Sequence, residues 1–280
     1  MSLYLRPQTL TDAAQILAGQ GGTILSGGTD FFPALGDRPV TGTVVDISGV
    51  WEMKGITTTP SEIRIGGLTT WSEVVGSPLP RCFNALKSAA REIGGIQIQN
   101  RGTVAGNLCN ASPAADGVPP LLALDAEVEL VSIAGTRRLP LCKFIVGNRK
   151  TLRRADEILA AVIVPRRLDD AASVFLKLGA RRYLVISIVM VAAVVQVDGK
   201  GRVREARVAI GSCSAIAQRL SALEQALIGA PARTGLGAIA APQYLSAISP
   251  ITDVRATASY RADAALTLVS RALDVCVGSG

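Results

Sequence analysis

Ile-Gly-Gly-Ile-Gln-Ile-Gln-Asn-Arg-Gly-Thr-Val-Ala-Gly-Asn-Leu-Cys-Asn-Ala-Ser-Pro-Ala-Ala-Asp-Gly-Val-Pro-Pro occupies residues 93–120, and an apolar segment follows it to residue 130. Gly94, Gly95, Gly102, Gly106 and Gly117 alternate here with the uncharged hydrogen-bonders Thr103, Asn107, Asn110 and Ser112. Glycine lets a backbone approach a ligand closely and turn through positive φ. Small polar side chains and free backbone N–H groups then hold phosphate oxygens without a lysine. A shorter loop of the same chemistry lies upstream, Leu25-Ser26-Gly27-Gly28-Thr29-Asp30. Two such loops in one chain imply a ligand with a diphosphate, gripped from two sides. No periodicity runs through residues 97–116, so an ordered loop with little regular structure is expected there. Asp116, set among Pro113, Pro119 and Pro120, is either a turn former or an acceptor for sugar-like hydroxyls.

Composition narrows the chemistry. The chain has 280 residues, 49% of them hydrophobic, which is ample for one large or several smaller cores. The formal charge of +7 raises the question of nucleic acid, but the arginines are scattered in pairs and only 4% of residues are aromatic. A basic stripe with stacking aromatics is therefore missing, and an anionic ligand or acidic partner accounts for the charge equally well. There is no histidine, which removes it as general base, metal ligand or covalent flavin anchor. The five cysteines are far apart and form no C-x-x-C pair, so no metal site is expected within the chain. Their odd number fits a reducing, cytoplasmic setting. Residues 1–7 lack the regions of a signal peptide. The longest apolar run, residues 183–195, is too short to span a bilayer and reads as a strand buried on both faces.

Taken in order, residues 9–18 predict a short helix capped by Thr9 or Thr11, and residues 23–25 a strand running into the first glycine loop. Strands are expected at 43–47, 62–67, 126–131 and 157–164, with a hairpin partner at 133–139. Helices are expected at 80–93, ended by Gly94-Gly95, and briefly at 121–124. Beyond Pro165 the character changes. Residues 173–178, 189–197 and 203–210 predict three strands, followed by helices at 217–227 and 264–277. This is an α+β pattern with a division near residues 165–170.

At this point the chain resembles a known family, the FAD-binding (medium) subunits of molybdenum hydroxylases of the xanthine dehydrogenase and carbon monoxide dehydrogenase type. Four segments carry the resemblance in the family's order: Ser26-Gly27-Gly28-Thr29-Asp30; residues 99–107 with 112–116; residues 144–159, which begin Phe-Ile-Val-Gly-Asn-Arg-Lys-Thr; and Pro-Ile-Thr-Asp-Val-Arg-Ala-Thr-Ala-Ser-Tyr-Arg at 250–261. The resemblance implies a two-lobed FAD-binding domain over 1–167, with lobes at about 1–55 and 56–167, then an α+β domain over 168–280 with a three-stranded antiparallel sheet and helices. It implies that Leu25, Ser26, Gly27, Gly28, Thr29, Asp30, Phe31 and Phe32 wrap one side of the diphosphate. Thr103, Val104, Ala105, Gly106 and Asn107 would bind the other side through backbone amides, helped by the Thr103 and Asn107 side chains. Asp116 would hold the cofactor's hydroxyls, and Arg182 to Ile188 would approach the adenine or the flavin.

Two departures from the family pattern stand out. The family has Gly-Gly-Asn where this chain has Ala105-Gly106-Asn107, and alanine disfavours positive φ. Xanthine dehydrogenases carry charge in the segment matching residues 183–188, which is wholly uncharged here. The cysteine-rich insertion of the benzoyl-CoA-type reductases is also missing.

The function implied is electron transfer without a catalytic side chain. Iron–sulfur clusters on a small subunit would pass electrons to non-covalent FAD on this chain, then to NAD or another acceptor, while hydroxylation occurs at a molybdenum cofactor on a large subunit. A xanthine dehydrogenase-like enzyme is favoured. The alternatives are a carbon monoxide or other aerobic dehydrogenase medium subunit, or a stand-alone FAD oxidoreductase. A Rossmann dehydrogenase is disfavoured because no Gly-x-Gly-x-x-Gly follows a strand. If residues 103–107 hold the cofactor, Gly106→Val abolishes FAD binding and leaves the C-terminal part folded. Stoichiometric flavin retained by that variant contradicts the assignment.

Overall fold

The computed structural model describes residues 2–278. β1 (Leu3–Leu5) leads to α1 (Leu10–Gln20), whose N-cap is Thr9: its Oγ accepts the Asp12 amide at 3.1 Å. Ala13, Ala14 and Leu17 bury the inner face of α1, and Gly21 at φ 63° ends it. β2 (Thr23–Leu25) follows, then the first glycine loop, α2 (Phe31–Leu35) and β3 (Thr43–Asp46). β1 and β2 both pair in parallel with β3, giving the order β1-β3-β2. The first loop thus leaves the C-terminal end of a parallel strand, where backbone amides stay open to a ligand.

β4 (Ile56–Thr58) and β5 (Glu62–Gly66) begin a second sheet. A capping box between Thr70 and Glu73 starts α3 (Trp71–Gly76), and α4 (Asn84–Glu92) buries Ala85, Leu86, Ala89 and Ala90. Three short helices come next: α5 (Ile96–Gln99), α6 (Val104–Asn110) and α7 (Val118–Ala123). Residues 97–116 are therefore not the irregular loop expected. The local signal is the Thr103 cap, whose Oγ1 accepts the Gly106 amide at 3.1 Å. The glycines at 94, 95, 102 and 106 mask helical periodicity in a segment this short. β6 (Glu127–Ser132), β7 (Gly135–Pro140), α8 (Leu141–Phe144), the β8 (Ile145–Gly147) and β9 (Lys150–Thr151) hairpin, and β10 (Ile158–Pro165) complete the region. The sheet order is β4-β5-β10-β6-β7, antiparallel throughout. Central β10 is buried on both faces. Leu159, Val162 and Val164 join the core under α4, α6 and α7, while Ile158 and Ala160 join the core beneath α1.

β11 (Ala172–Leu178), β12 (Val189–Val197) and β13 (Val203–Gly211) form the expected antiparallel meander. A two-residue strand, β14 (Gln218–Arg219), adds a fourth member on β13. It takes the first residues of the helix expected at 217–227, which shortens to α9 (Ser221–Leu227). The last helix, expected at 264–277, begins earlier, as α10 (Ala258–Gly278). The apolar run 183–195 is divided: residues from Val189 onward are buried in β12, but Tyr183, Leu184 and Ile186 lie in an exposed segment between β11 and β12. Apolarity in that segment does not reflect a core. No helix among the described residues is long and apolar enough to cross a membrane.

Charge ties the central region to the C-terminal sheet. Asp125, just after α7 and at φ 51°, accepts from Arg219 at 2.7 Å, from Arg207 at 3.2 Å and from Arg167. Arg219 also makes a two-pronged pair with Glu224 at 2.5 and 2.7 Å and donates to the Leu122 carbonyl at 3.0 Å. Burial pushes the Asp125 carboxyl up, but the surrounding guanidiniums more than offset this and hold it below its ordinary value. Because the folded pKa is depressed, the stabilisation is present above the unfolded carboxylate range and is lost as pH falls through the folded value. Asparagine tolerates the left-handed backbone, so Asp125→Asn removes charge without new strain. Denaturant unfolding at pH 7 is expected to detect a loss of about 1–3 kcal/mol, shrinking as the pH drops below about 4. Equal stability of the two proteins at pH 7 contradicts this account.

Candidate functional site

A cleft of about 910 Å³ runs between the small parallel sheet and the α4–α7 region, with the β11–β12 segment at its edge. One wall carries Ser26, Gly27, Gly28, Thr29, Asp30 and Phe31 from the first glycine loop; the other carries Thr103, Ala105, Gly106, Asn107 and Asp116. The two loops touch. Ser26 Oγ and Thr103 Oγ1 share a hydrogen bond at 2.9 Å. Gly27 packs so closely on the second loop that an added Cβ would overlap the Arg101 carbonyl oxygen. Gly28 turns at φ 77° beneath the Phe32 ring. Glycine is needed at both places, at the first for space and at the second for backbone angle.

The remaining expected residues divide by geometry. Leu25 and Val104 are buried beneath the two loops, and Ile188 packs in the C-terminal core. Phe32 is 56% exposed and packs its ring on Gly28 without itself lining the cleft. Arg182 lies over the Tyr183 ring at 5.2 Å, outside the lining. The amides expected to be free on the second loop are already engaged: Val104 donates to the Thr69 carbonyl, Ala105 to Gly67, Gly106 to Thr103 Oγ1 and Asn107 to the Thr103 carbonyl. What this loop offers is side chains. Asn107 Oδ1 is buried with no hydrogen-bond partner, an acceptor waiting for a donor. Ala105 causes no strain, because it sits in α6 with ordinary φ and packs on Gly67.

Other residues of the site went unnoticed in the sequence. Arg149 and Arg153, from the β8–β9 hairpin and the turn after it, line the cleft together with Cys109 and Asn110. Arg149 donates to Asn110 Oδ1, which fixes its direction. Lys177 donates to Asp116 Oδ2 at 2.6 Å, and Ser187 donates to Oδ1 at 2.6 Å. Burial pushes the Asp116 carboxyl up against the pull of both donors, so it stays above its ordinary value. Burial also pushes the Cys109 thiol up to about 11, only partly countered by the Arg153 guanidinium, so the thiol is neutral near pH 7 and no nucleophile. The third resemblance segment contained both arginines, but nothing in it indicated which faced the ligand. Lys177 carried no signal, being one lysine on an alternating strand.

Residues 1–167 match the family model of the FAD-binding domain in molybdopterin dehydrogenase, and residues 174–275 match that of the CO dehydrogenase flavoprotein C-terminal domain. The chain is an FAD-binding subunit of the molybdenum hydroxylase family. It is 35% identical to the nicotinate dehydrogenase FAD-subunit of Eubacterium barkeri over 81% of this chain and 80% of that one. To a putative xanthine dehydrogenase FAD-binding subunit of Escherichia coli K12 it is 32% identical, over 99% and 96% of the two lengths. Carbon monoxide dehydrogenase from Hydrogenophaga pseudoflava superposes with a TM-score of 0.89 at 26% identity, covering 99% of this chain and 97% of that one. Quinoline 2-oxidoreductase from Pseudomonas putida 86 gives 0.91 at 25%, covering 100% and 98%.

This flavin subunit is thus an oxidoreductase component whose cofactor is FAD. The residues present fit that group. The cleft is long enough to be lined by both glycine loops, the close approach at Gly27 and the turn at Gly28 leave backbone open to a diphosphate, and Asn107 presents an unused acceptor. Gly27→Ala forces the two loops apart, an overpacking cost of about 1–3 kcal/mol. Fluorescence titration of flavin-free protein is expected to find FAD bound roughly 10–100-fold more weakly, with far-UV circular dichroism unchanged. Unaltered affinity contradicts the close approach.

Proposed function

We propose that this chain is the electron-transfer subunit of a molybdenum-containing hydroxylase, placed between an iron–sulfur small subunit and a diffusible acceptor, with substrate hydroxylated on a molybdenum large subunit. The observation that carries the reading is the contact of two glycine loops, at Ser26 and Thr103, within a single cleft of about 910 Å³ in a chain of an FAD-binding family. Bound FAD supplies the exchange between single electrons and electron pairs that such a relay needs. The chain's own residues bind and orient. Residues 26–31 and the Thr103 side chain hold the diphosphate region, the Asn107 Oδ1 acceptor meets a hydrogen-bond donor of the cofactor, and Asp116 lies where sugar-like hydroxyls are met. Arg149 supplies a fixed positive charge to the same cleft. In this reading residues 1–167 carry the cofactor site and residues 168–280 flank it.

The proton that a reduced flavin takes up can come from solvent, so no acid–base side chain is required of this chain, which agrees with a sequence without histidine. NAD is the proposed acceptor, with a quinone or oxygen as alternatives. The favoured enzyme is xanthine dehydrogenase-like, supported by 32% identity over 99% of the chain to a putative xanthine dehydrogenase flavin subunit, and a cytoplasmic location is proposed from the odd number of scattered cysteines. A carbon monoxide or other aerobic dehydrogenase is the alternative, as is a stand-alone FAD oxidoreductase. Relatives named for nicotinate, xanthine and carbon monoxide all match this chain in sequence, which supports placing substrate choice on another chain.

The purified chain is expected to show a flavin absorption spectrum and to release about one FAD per chain on acid treatment. Purified from the cells that make it, the chain is expected to co-purify with two further subunits carrying iron, sulfide and molybdenum. A colourless protein that takes up no added FAD overturns the reading.

A further inference from the structure

The two stems of the segment between β11 and β12 meet at a single carboxylate. Lys177, the penultimate residue of β11, and Ser187, two residues before β12, donate to opposite oxygens of Asp116, each at 2.6 Å. All three are secluded: the Lys177 and Asp116 side chains are each 7% exposed and Ser187 is 2% exposed. Lys177 also donates to the Glu92 carbonyl at 3.3 Å, at the end of α4. Asp116 and Glu92 line the cleft, so the segment is fastened to the cofactor site rather than only to its own sheet. At its base, Ile188 donates to the Leu178 carbonyl at 2.8 Å, and buried Arg261 donates to the Ile188 carbonyl at 2.5 Å.

Between those stems the chain is not a packed wall. Regular structure stops at Leu178 and resumes at Val189. Leu184, Val185 and Ile186 line the cleft, although Leu184 and Ile186 are more than half exposed. Leu184 holds φ 51°, a costly angle for a bulky side chain, and its carbonyl accepts Arg181 Nε at 3.1 Å. Leu184 Cδ2 lies 3.3 Å from the point where a Cβ on Gly95 would stand, so the segment packs against the turn after α4, which also lines the cleft. A buried ion pair is a poor source of stability compared with apolar packing, but its directional bonds accept one arrangement only.

We propose that Ser187 and Lys177 are positioning residues that pin residues 179–187 to Asp116 as an apolar cover, and that retention of FAD in the cleft depends on this pin. The inference rests on the FAD reading above and adds that Asp116 serves the cover as well as the cofactor. Each carboxylate oxygen keeps a lone pair free for a cofactor hydroxyl after accepting its protein donor.

The test compares the purified full chain with Ser187→Ala and Ser187→Thr. Threonine keeps the hydroxyl, and alanine removes little volume, so folding is checked by melting temperature in all three. The first readout is FAD release after dilution, followed as free-flavin fluorescence. The second is tryptic cleavage after Arg181 or Arg182, followed by mass spectrometry with and without added FAD. Ser187→Ala is expected to release FAD roughly tenfold faster and to be cut roughly tenfold faster, with Ser187→Thr close to the parent in both. Equal FAD release and equal cleavage in Ser187→Ala and the parent overturn the pin. Equal loss in alanine and threonine variants also overturns it, since a hydroxyl at that place would then not matter. Failure of the parent itself to bind FAD overturns the proposed function instead, and the cleavage rates without FAD still decide whether Ser187 holds the segment.

Discussion

The close approach of Gly27 to the Arg101 carbonyl is the constraint on which the site depends. Ser26 and Thr103 are separated by 77 residues, yet their hydroxyls are 2.9 Å apart. Bringing them together requires the parallel sheet to end its middle-joining strands at the same edge where α6 begins, and requires a residue without Cβ at the contact. Much of the surrounding packing serves this placement. Ile158 and Ala160 of β10 face the core beneath α1, and Leu159 and Val162 face the core beneath α6. One strand therefore contributes side chains to both of these cores through its alternation.

The electrostatics follow a similar economy. The net charge of +7 is not displayed as a uniform basic face. Arg137 pairs with Glu157 at 2.6 Å, Arg138 with Glu62 at 2.9 Å and Arg166 with Asp169 at 2.7 Å, while Arg167, Arg207 and Arg219 converge on Asp125. The arginine pairs scattered through the sequence are in large part internal fasteners between strands and turns. Exposed members of such pairs contribute little each, but Arg219, Asp125 and Glu224 are partly buried and satisfied on several sides, where charge-assisted bonds have more effect.

Much of this fold was legible in the sequence because its signals are local. The Thr9 cap, the alternation of residues 62–66 and 127–132, the β12–β13 hairpin around Gly199 and Gly201, and the apolar stripe of α10 each act within a few residues. Both glycine loops were legible for the same reason. What escaped was either shorter than a period or made by distant partners. The helix at α6 has seven residues, two turns in which glycine and asparagine hide the pattern. The two residues of β14 have no signature apart from the neighbour they pair with. Lys177 and Asp116 are 61 residues apart, and Ser187 and Asp116 are 71 apart, so no spacing could link them.

The apolar run 183–195 shows how composition misleads when two demands share one segment. From Val189 onward its residues alternate between the core beneath α10, which takes Val189, Val191, Ala193 and Val195, and the core with α4 and α7, which takes Met190, Ala192 and Val194. Before Ser187 they answer to the cleft, which an uncharged segment can border without placing a desolvated charge beside the ligand. Ser187 is the polar interruption between these halves, and its hydroxyl is turned inward to Asp116 at 2.6 Å. A serine that looked like a blemish in a buried strand is therefore the point where the strand ends and the border of the site begins. Three breaks of a local rule, at Gly27, at Leu184 with φ 51° and at Ser187, face the cleft or anchor something that does, whereas Asp125, also at φ 51°, serves the arginine cluster instead.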